Sequence, residues 1–261
     1  MKFEIIDFHT HPFINQEDNL CFHQELCGLT AESFPAYLAS CGVSRFCGAV
    51  VGKYKAEGES DWDHVRRNND AALKLRNLYG DTYIPGFHIH PDYVEESIAE
   101  MHRMKDLGIR LIGQLIPSYY NWNNDYTSEA FSTLLDEAER LEMVVSLRVA
   151  DEDAMDALVK RHPNLTIVAA HPGEYNNLMR HIDRMKLSPN YYLDLSGVGI
   201  TRYGALKRLV EEVGADRLLY GSNFPSCEPT MFIGAVLRDR HVTENQKAQI
   251  LSRNTMRLLQ I

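Results

Sequence analysis

Two histidines one residue apart follow the first apolar run of the chain directly. The run Phe3–Ile6 predicts a strand, and His9 and His11 come after it in the segment Asp7–His11. Alternate residues of an extended strand point to the same side, so both imidazoles can close on one divalent cation such as zinc. A capped strand end with two solvated histidines explains the same pattern, and this short motif leaves both interpretations open.

A second His-x-His pair, His88 and His90, ends another strand-like run. If Phe87 and Ile89 pack against helices, both imidazoles point to the opposite side of that strand. There they would contact substrate or complete a metal site. Hydrogen-bonded wall residues are the alternative interpretation of the same pair.

Aromatic residues follow the next strand-like run, and Tyr119 and Trp122 are the candidate substrate contacts among them. Loops after strands commonly carry binding residues. Simple packing of the loop explains the two rings nearly as well. The six other histidines fall on predicted helices or loops and are expected at the surface: His23, His64, His102, His162, His181 and His241.

Strand and helix patterns alternate along the whole chain. Strands are predicted at Phe3–His9, Ser44–Val51, Tyr83–His90, Ile109–Ile116, Met143–Val149, Leu165–Ala170, Tyr191–Leu195 and Arg217–Tyr220. Helices are predicted at Thr30–Ser40, Trp62–Tyr79, Asp92–Leu107, Ser128–Leu141, Asp151–Arg161, Glu174–Met185, Tyr203–Val213 and Thr243–Leu259. This alternation predicts an α/β fold, a single (β/α)₈ TIM barrel over residues 1–261, with functional groups at the carboxyl ends of its strands.

Composition narrows the classes of partner. The 261 residues carry a formal net charge of −9, which argues against nucleic acid or an anionic membrane as the main partner. No apolar run is long enough to span a bilayer, and the amino terminus predicts a strand rather than a signal peptide. Five cysteines without C-x-x-C spacing favour reduced thiols in a cytoplasmic protein. Assembly into a homo-oligomer is left open.

Four stretches in a fixed order carry a family resemblance. They are Asp7–Pro12, Pro163–Gly173, Asp216–Pro225 and Ile250–Leu259, and together they span nearly the whole chain. They resemble the first strand, the sixth strand, the eighth-strand G-S-D-F-P motif and the closing helix of the amidohydrolase superfamily. The similarity is to its short, metal-dependent hydrolase and decarboxylase branch.

The resemblance implies a metal-assisted site. In that family two first-strand histidines, a fifth-strand histidine and an eighth-strand aspartate hold a divalent ion, usually zinc, which makes bound water acidic or polarises the substrate. A sixth-strand histidine acts as general acid or base. Carried over, His9 and His11 match the metal ligands and His171 matches the catalytic histidine.

Two positions depart from the family pattern. Asn223 stands where the family has the eighth-strand aspartate, and Arg148 aligns with the fifth-strand histidine. The alternation of Val145, Leu147 and Val149 independently predicts that Arg148 points into the barrel. The site is also similar to metal-independent lactonases that open 2-pyrone-4,6-dicarboxylate, which lack the fifth-strand ligand. Those enzymes keep the aspartate, and Asn223 cannot act as their base.

The two changes shift the charge of the site by +2, which is the charge of the ion itself. A guanidinium about 4 Å from a divalent ion would repel it by about 8 kcal/mol at an effective dielectric near 20. We therefore expect weak or substoichiometric binding of a divalent metal, with zinc the ion that the resemblance implies, centred on His9 and His11. An alternative is that Arg148 bends away to pair with Asp151, Asp153 or Asp194.

Two functional hypotheses follow. The first is a hydrolase of an ester, lactone or amide bond, or a decarboxylase, acting on a small anionic compound. Arg148 would bind the anionic group, and His171 and Asn223 would lie at the reacting bond. The second is a catalytically reduced barrel that binds a small acid or a partner without turnover.

Overall fold

The structure is a computed structural model that describes residues 3–24, 28–122 and 126–261. Cys27 lies outside the described residues. The four described cysteines form no disulfide with one another, namely Cys21, Cys41, Cys47 and Cys227. No helix in the described part of the chain is long and apolar enough to cross a membrane.

Eight parallel strands form one sheet in sequence order. They are β1 Ile6–Asp7, β2 Arg45–Gly48, β3 Tyr83–Phe87, β4 Leu111–Leu115, β5 Val144–Arg148, β6 Thr166–Ala170, β7 Tyr191–Asp194 and β8 Leu218–Leu219. The sheet curls until its first and last strands meet, because the Phe8 N–H donates to the Tyr220 carbonyl at 2.9 Å and the His11 N–H to the Phe224 carbonyl at 2.7 Å. The predicted (β/α)₈ barrel is confirmed.

Alternation along the strands separates two apolar layers. On β5, Val145 and Leu147 belong to the core between the sheet and the helices. Val144 belongs instead to the smaller cluster inside the barrel, with Ile6 and Val168. Because side chains on a strand alternate, Arg148 lies on the same face as Val144, at the carboxyl end of β5. The predicted inward direction of Arg148 is confirmed.

The helices lie where the sequence predicts them, with one exception. They are α1 Phe34–Ser40, α2 Asp61–Tyr79, α3 Val94–Asp106, α4 Glu129–Arg140, α5 Glu152–Arg161, α6 Tyr175–Leu187, α7 Ala205–Val213, α8 Pro229–Arg238, α9 Glu244–Ala248 and α10 Asn254–Leu259. A π-helical segment, Gln249–Arg253, joins the last two.

Helix α8 is the element that the sequence pattern missed. Its run from Met231 to Leu237 is apolar on nearly every side, so it has no polar face to reveal a helical period. Pro229 at the first helical position was the available signal, since proline favours the first turn of a helix. The helix matters for function because Met231 and Phe232 line the cavity described below.

The strands are shorter than predicted. The extended runs of β1 and β3 continue past the sheet ladder as loops, and these loops carry His9, His11, His88 and His90. The chain leaves the ladder at the carboxyl ends of the strands, and this places the polar side chains at the mouth of the barrel.

Candidate active site

The His9 and His11 imidazoles meet at the end of β1. Their Nε2 atoms are 3.1 Å apart, and the two rings are nearly perpendicular with centroids 5.0 Å apart. Both side chains are buried. Burial is the main cause that lowers the pKa of His11 well below its ordinary value, and the neighbouring His9 and His171 lower it further. The His11 imidazole is therefore neutral near pH 7, and its Nε2 converges with that of His9 inside the mouth of the barrel.

Asp7 fixes the segment that carries this pair. One carboxylate oxygen accepts from the backbone N–H of His9 at 3.1 Å and of Ser222 at 2.9 Å, and the other accepts from the Ser222 hydroxyl. Burial raises the pKa of Asp7 to about 7, although these hydrogen bonds oppose the increase. Asp7 thus ties the end of β1 to the turn that follows β8.

Asp194 and Ser196, at the end of β7, complete the surroundings of His9. The Asp194 carboxylate accepts from His9 Nδ1 at 2.8 Å, and the Ser196 hydroxyl lies 3.0 Å from the same nitrogen. Burial raises the pKa of Asp194, but the adjacent His9 and its hydrogen bond outweigh burial and lower it to about 2. The sequence analysis gave neither residue a site role, although their position two residues apart at a strand end was a usable signal.

His171 follows β6 and stacks on His9, with ring centroids 5.1 Å apart and an interplanar angle of 27°. Its backbone has a φ of 68°, a conformation that costs energy for a residue with a Cβ and that often marks functional positions. Burial, followed by the neighbouring His9, lowers the pKa of His171 to about 4. The imidazole is therefore neutral near pH 7 and has one bare nitrogen able to accept a proton.

Arg148, His171 and Asn223 line one cavity of about 770 Å³ at the mouth of the barrel. Val149 and Phe232 supply part of its apolar wall. Arg148 is the one lysine or arginine among the described residues that line this cavity. The structure thus brings together the charged group and the catalytic candidates that the sequence analysis selected from three different strands.

Arg148 forms no ion pair within 4 Å with any residue in the described ranges. Its three expected structural partners are engaged elsewhere. Asp151 caps α5 by accepting from the Ala154 N–H, Asp153 pairs with Arg180 at 2.6 Å, and Asp194 pairs with His9. The alternative of an ion-paired Arg148 is therefore wrong, and its guanidinium remains available to a ligand.

Asn223 occupies a tight turn after β8. Its φ is 63°, a left-handed conformation that asparagine tolerates better than most residues. Its N–H donates to the His9 carbonyl at 2.8 Å, and its carbonyl accepts from the Ser226 N–H at 2.9 Å. The residue therefore has a structural role in the turn, and its side chain also faces the cavity.

His88 and His90 are buried behind the mouth and are not among the residues that line the cavity. The Val50 carbonyl accepts from His88 Nε2 at 2.9 Å. The Tyr120 carbonyl accepts from His90 Nε2 at 2.7 Å, and His90 Nδ1 accepts from the Asp92 N–H. These are the bonds of wall residues, and direct contact of either histidine with substrate stays a prediction.

Tyr119 and Trp122 do not line the cavity either. Trp122 is buried and its ring packs on Phe131, with centroids 5.1 Å apart, while Tyr119 is half-buried. Both belong to or pack against the core between sheet and helices. Contact of either ring with substrate stays a prediction.

Three histidines that were expected at the surface are buried, namely His64 on α2, His181 on α6 and His162 directly after α5. His181 lines the cavity, and its Nδ1 lies 2.8 Å from the Tyr191 hydroxyl. The expectation was wrong because it counted residues on helices as exposed. One face of each helix packs on the barrel, and histidine is accepted there when it finds a partner.

The donor set does not match that of a structural zinc site. His9, His171 and Asp194 have possible ligand atoms within 4.8 Å of one another. The Ser196 hydroxyl lies within hydrogen-bonding distance of all three side chains. His9 Nε2 and His11 Nε2 converge separately but are only two of the four ligands that a structural zinc needs. Among the described residues neither group supplies the four protein ligands of a structural zinc site, whereas the first supplies three, the number that a catalytic zinc site takes from the protein.

The family profile described as amidohydrolase matches residues 6–261. The chain belongs to the amidohydrolase family. A comparison with curated proteins finds no match.

Solved structures share the fold at low sequence identity. The chain is 15% identical to 2,6-dihydroxybenzoate decarboxylase from Rhizobium, with a TM-score of 0.73 over 98% of each chain. A probable 2-pyrone-4,6-dicarboxylic acid hydrolase from Acinetobacter baumannii, with citric acid bound, is 16% identical, with a TM-score of 0.66 over 100% of each chain. A 5-carboxyvanillate decarboxylase from Novosphingobium aromaticivorans, with bound manganese and a nitrobenzoic acid, is 17% identical, with a TM-score of 0.65 over 87% of this chain and 80% of that one.

Proposed function

We propose that the protein is an enzyme that hydrolyses an ester, lactone or amide bond in a small carboxylated compound. The observation that carries the proposal is that Arg148, which forms no ion pair with a described residue, lies in the same cavity as a neutral His171. A cation without a protein partner is suited to bind an anion, and a neutral imidazole is suited to activate water.

The substrate class follows from what lines the cavity. A guanidinium binds a carboxylate bidentately, and such charge-assisted hydrogen bonds are stronger than neutral ones. The nearby Glu152 carboxylate already accepts from Arg184 and from the Asn177 amide, so it does not neutralise Arg148. The apolar side chains of Val149 and Phe232 suit the carbon body of the compound.

His171 would take a proton from water as the water oxygen attacks the substrate carbonyl, and would return it to the leaving oxygen or nitrogen. Its low pKa favours this order, because the histidine begins the reaction unprotonated. The Asn223 side chain would hydrogen-bond the reacting group from the opposite strand end. It is neutral at all pH values, so it cannot replace His171 as the base.

Decarboxylation is the second candidate reaction. It is supported by the fold shared with two decarboxylases of carboxylated phenols. It would need His171 to deliver a proton to carbon, which a histidine with a pKa of about 4 does poorly near neutral pH. The lowered pKa of His171 is therefore our reason for proposing hydrolysis ahead of decarboxylation.

We propose that divalent metal binds weakly or substoichiometrically, at His9 and His11 when it binds. Manganese in one neighbour shows that the fold can hold a divalent ion in that protein. Here the hydrogen bond from His9 Nδ1 to Asp194 orients the ring so that Nε2 points to His11 Nε2, and a carboxylate bonded to the other nitrogen of a histidine commonly supports metal binding. The cation of Arg148 and the missing carboxylate at position 223 oppose binding, so no step of the proposed reaction depends on an ion.

The test is a substrate screen with variants that separate binding from chemistry. Purified protein would be incubated with aromatic and aliphatic carboxylates that contain ester, lactone or amide bonds, and with phenolic carboxylic acids. Products would be identified by mass spectrometry, with released CO₂ measured separately. Arg148→Gln should raise KM by roughly 10-fold to 100-fold, because it removes a charged hydrogen bond worth about 1.5–3 kcal/mol.

Arg180→Gln is the matched control, since Arg180 is a surface arginine paired with Asp153 and Asp156 away from the cavity. It should leave turnover unchanged. If Arg148→Gln also leaves turnover unchanged, the proposed role of Arg148 in substrate binding is refuted. Tight binding of a carboxylate without any product would favour the alternative of a barrel that binds a small acid without turnover.

A further inference from the structure

Ser196 lies at the centre of the buried polar network and has no role in the reaction outlined above. Its side chain is fully buried. Its hydroxyl oxygen lies 2.9 Å from His171 Nδ1 and 3.0 Å from His9 Nδ1, and it is hydrogen-bonded to Asp194. The backbone N–H of Ser196 also donates to Asp194 at 2.8 Å.

The directions of these hydrogen bonds follow from counting protons. A serine hydroxyl has one proton to donate, and an ionised carboxylate can only accept. The Ser196 O–H therefore donates to Asp194, and His9 Nδ1–H donates to the other oxygen of Asp194 at 2.8 Å. The Ser196 oxygen is then left as an acceptor for a proton on His171 Nδ1.

We propose that Ser196 is a positioning residue that holds the proton of His171 on Nδ1 and so leaves Nε2 bare as the base. This inference rests on the proposed function and specifies how its base is prepared. A group near the opposite nitrogen fits the assignment, because the Gln114 amide nitrogen lies 3.4 Å from His171 Nε2 and can direct a proton toward it.

The ring of His171 is held in place by packing that does not involve the Ser196 hydroxyl. It stacks on His9 on one side. Gly197 also comes so close to the ring that a Cβ there would lie 2.6 Å from His171 Nδ1. Removal of the hydroxyl should therefore change which nitrogen carries the proton and leave the ring where it is.

The experiment is a measurement of the His171 tautomer by NMR of protein labelled with ¹⁵N-histidine. The two ring nitrogens give separate signals when bare or protonated, and His171→Gln assigns them by loss of a signal. The wild-type protein should show a protonated Nδ1 and a bare Nε2. Ser196→Ala should move a large fraction of the protein to the form with a protonated Nε2.

Ser132→Ala is the matched control. Ser132 is also a buried serine bonded to a histidine, with its hydroxyl 2.9 Å from His162 Nε2, and it lies on α4 away from the cavity. It should leave the His171 signals unchanged. Ser196→Cys provides a second variant if the alanine variant does not fold, since a thiol is a weak acceptor and should weaken the preference for Nδ1.

Kinetics with any substrate found in the screen adds a separate readout. Ser196→Ala should lower kcat by roughly 10-fold to 100-fold and leave KM nearly unchanged, because Arg148 is untouched. An unaltered tautomer in folded Ser196→Ala or Ser196→Cys would overturn the proposal. A shifted tautomer in a protein that turns over no compound would support the role of Ser196 and contradict the proposed enzyme function.

Discussion

Replacement of Gly197 by alanine tests whether the loop after β7 fixes the His171 imidazole. The Cβ of alanine would lie 2.6 Å from His171 Nδ1 and 3.1 Å from its Cγ. The φ of Gly197 is 65°, so the new side chain also has to adopt a left-handed backbone conformation. The substitution adds one methyl group at the point where the loop and the ring are in closest contact.

The expected loss of stability has two parts. An alanine in the left-handed region costs about 1–2 kcal/mol. Insertion of a carbon into a filled space costs a further 1–3 kcal/mol or so, because the ring or the loop must move. Contact at 2.6 Å is about 0.8 Å closer than an ordinary carbon–nitrogen contact of ~3.4 Å, so His171 should lose its alignment with Ser196.

Gly108→Ala separates the two parts. Gly108 also has a positive φ, of 76°, but no described atom lies within 4 Å of the position that its Cβ would occupy. Urea unfolding at neutral pH should show that Gly197→Ala is less stable than Gly108→Ala by about 1–3 kcal/mol. The ¹⁵N signals of His171 should move in the Gly197 variant alone.

If Gly197→Ala and Gly108→Ala lose the same free energy of unfolding, the close contact between Gly197 and His171 is refuted, because only the backbone cost would then be present. Unchanged His171 signals in a destabilised Gly197→Ala would show that the loop yields instead of the ring. In that case Gly197 would not hold the imidazole.

Three other predictions concern separate groups of the site and its wall. The double change Arg148→His with Asn223→Asp should raise zinc affinity by several powers of ten, because it removes the +2 charge shift of the site. Zinc is titrated into both proteins, and tight, stoichiometric binding by the unmodified protein would contradict the prediction. His171→Ala should lower kcat by roughly 10²-fold or more, and an unchanged kcat in a folded variant would leave His171 as a wall residue. Burial lowers the pKa of His88 to about 4 from an ordinary 6.5, so the unfolded chain binds an extra proton between these values and stability is lost as the pH falls through them. The free energy of unfolding of the wild type, relative to that of His88→Gln, should therefore fall by about 2 kcal/mol from pH 6.5 to about pH 5. Urea unfolding of both proteins at each pH measures this difference. If the free energies of the two proteins change with pH in parallel, His88 is not a buried neutral histidine.

The order of the strands and helices and the positions of the first candidate residues could be predicted from the sequence alone. Regular alternation of apolar residues fixed which face of β5 points inward, and the inward direction of Arg148 could be predicted from five residues of one strand. His9 and His11 likewise followed from their spacing along a single segment. These properties depend on local backbone geometry, which neighbouring residues decide.

Helix α8 could not be read in the same way. It is apolar nearly all round, so its pattern has no period, and its position is set by contact with the barrel rather than by a polar and an apolar face. The same limit applies to His181, which was assigned to the surface because its helix faces were not known before the helix was packed.

Which side chains share the site depends on the tertiary structure and not on the spacing of residues along the chain. His9 meets Asp194 and Ser196 across 185 and 187 residues of sequence, because closure of the barrel brings the loops after β1 and β7 together. The packed fold also keeps Arg148 free of its three expected partners within the described ranges, since Asp151, Asp153 and Asp194 are all bonded elsewhere. The spacing of residues along one strand or helix determines the direction of their side chains. A hydrogen bond between distant segments depends instead on where packing places the ends of the helices and strands.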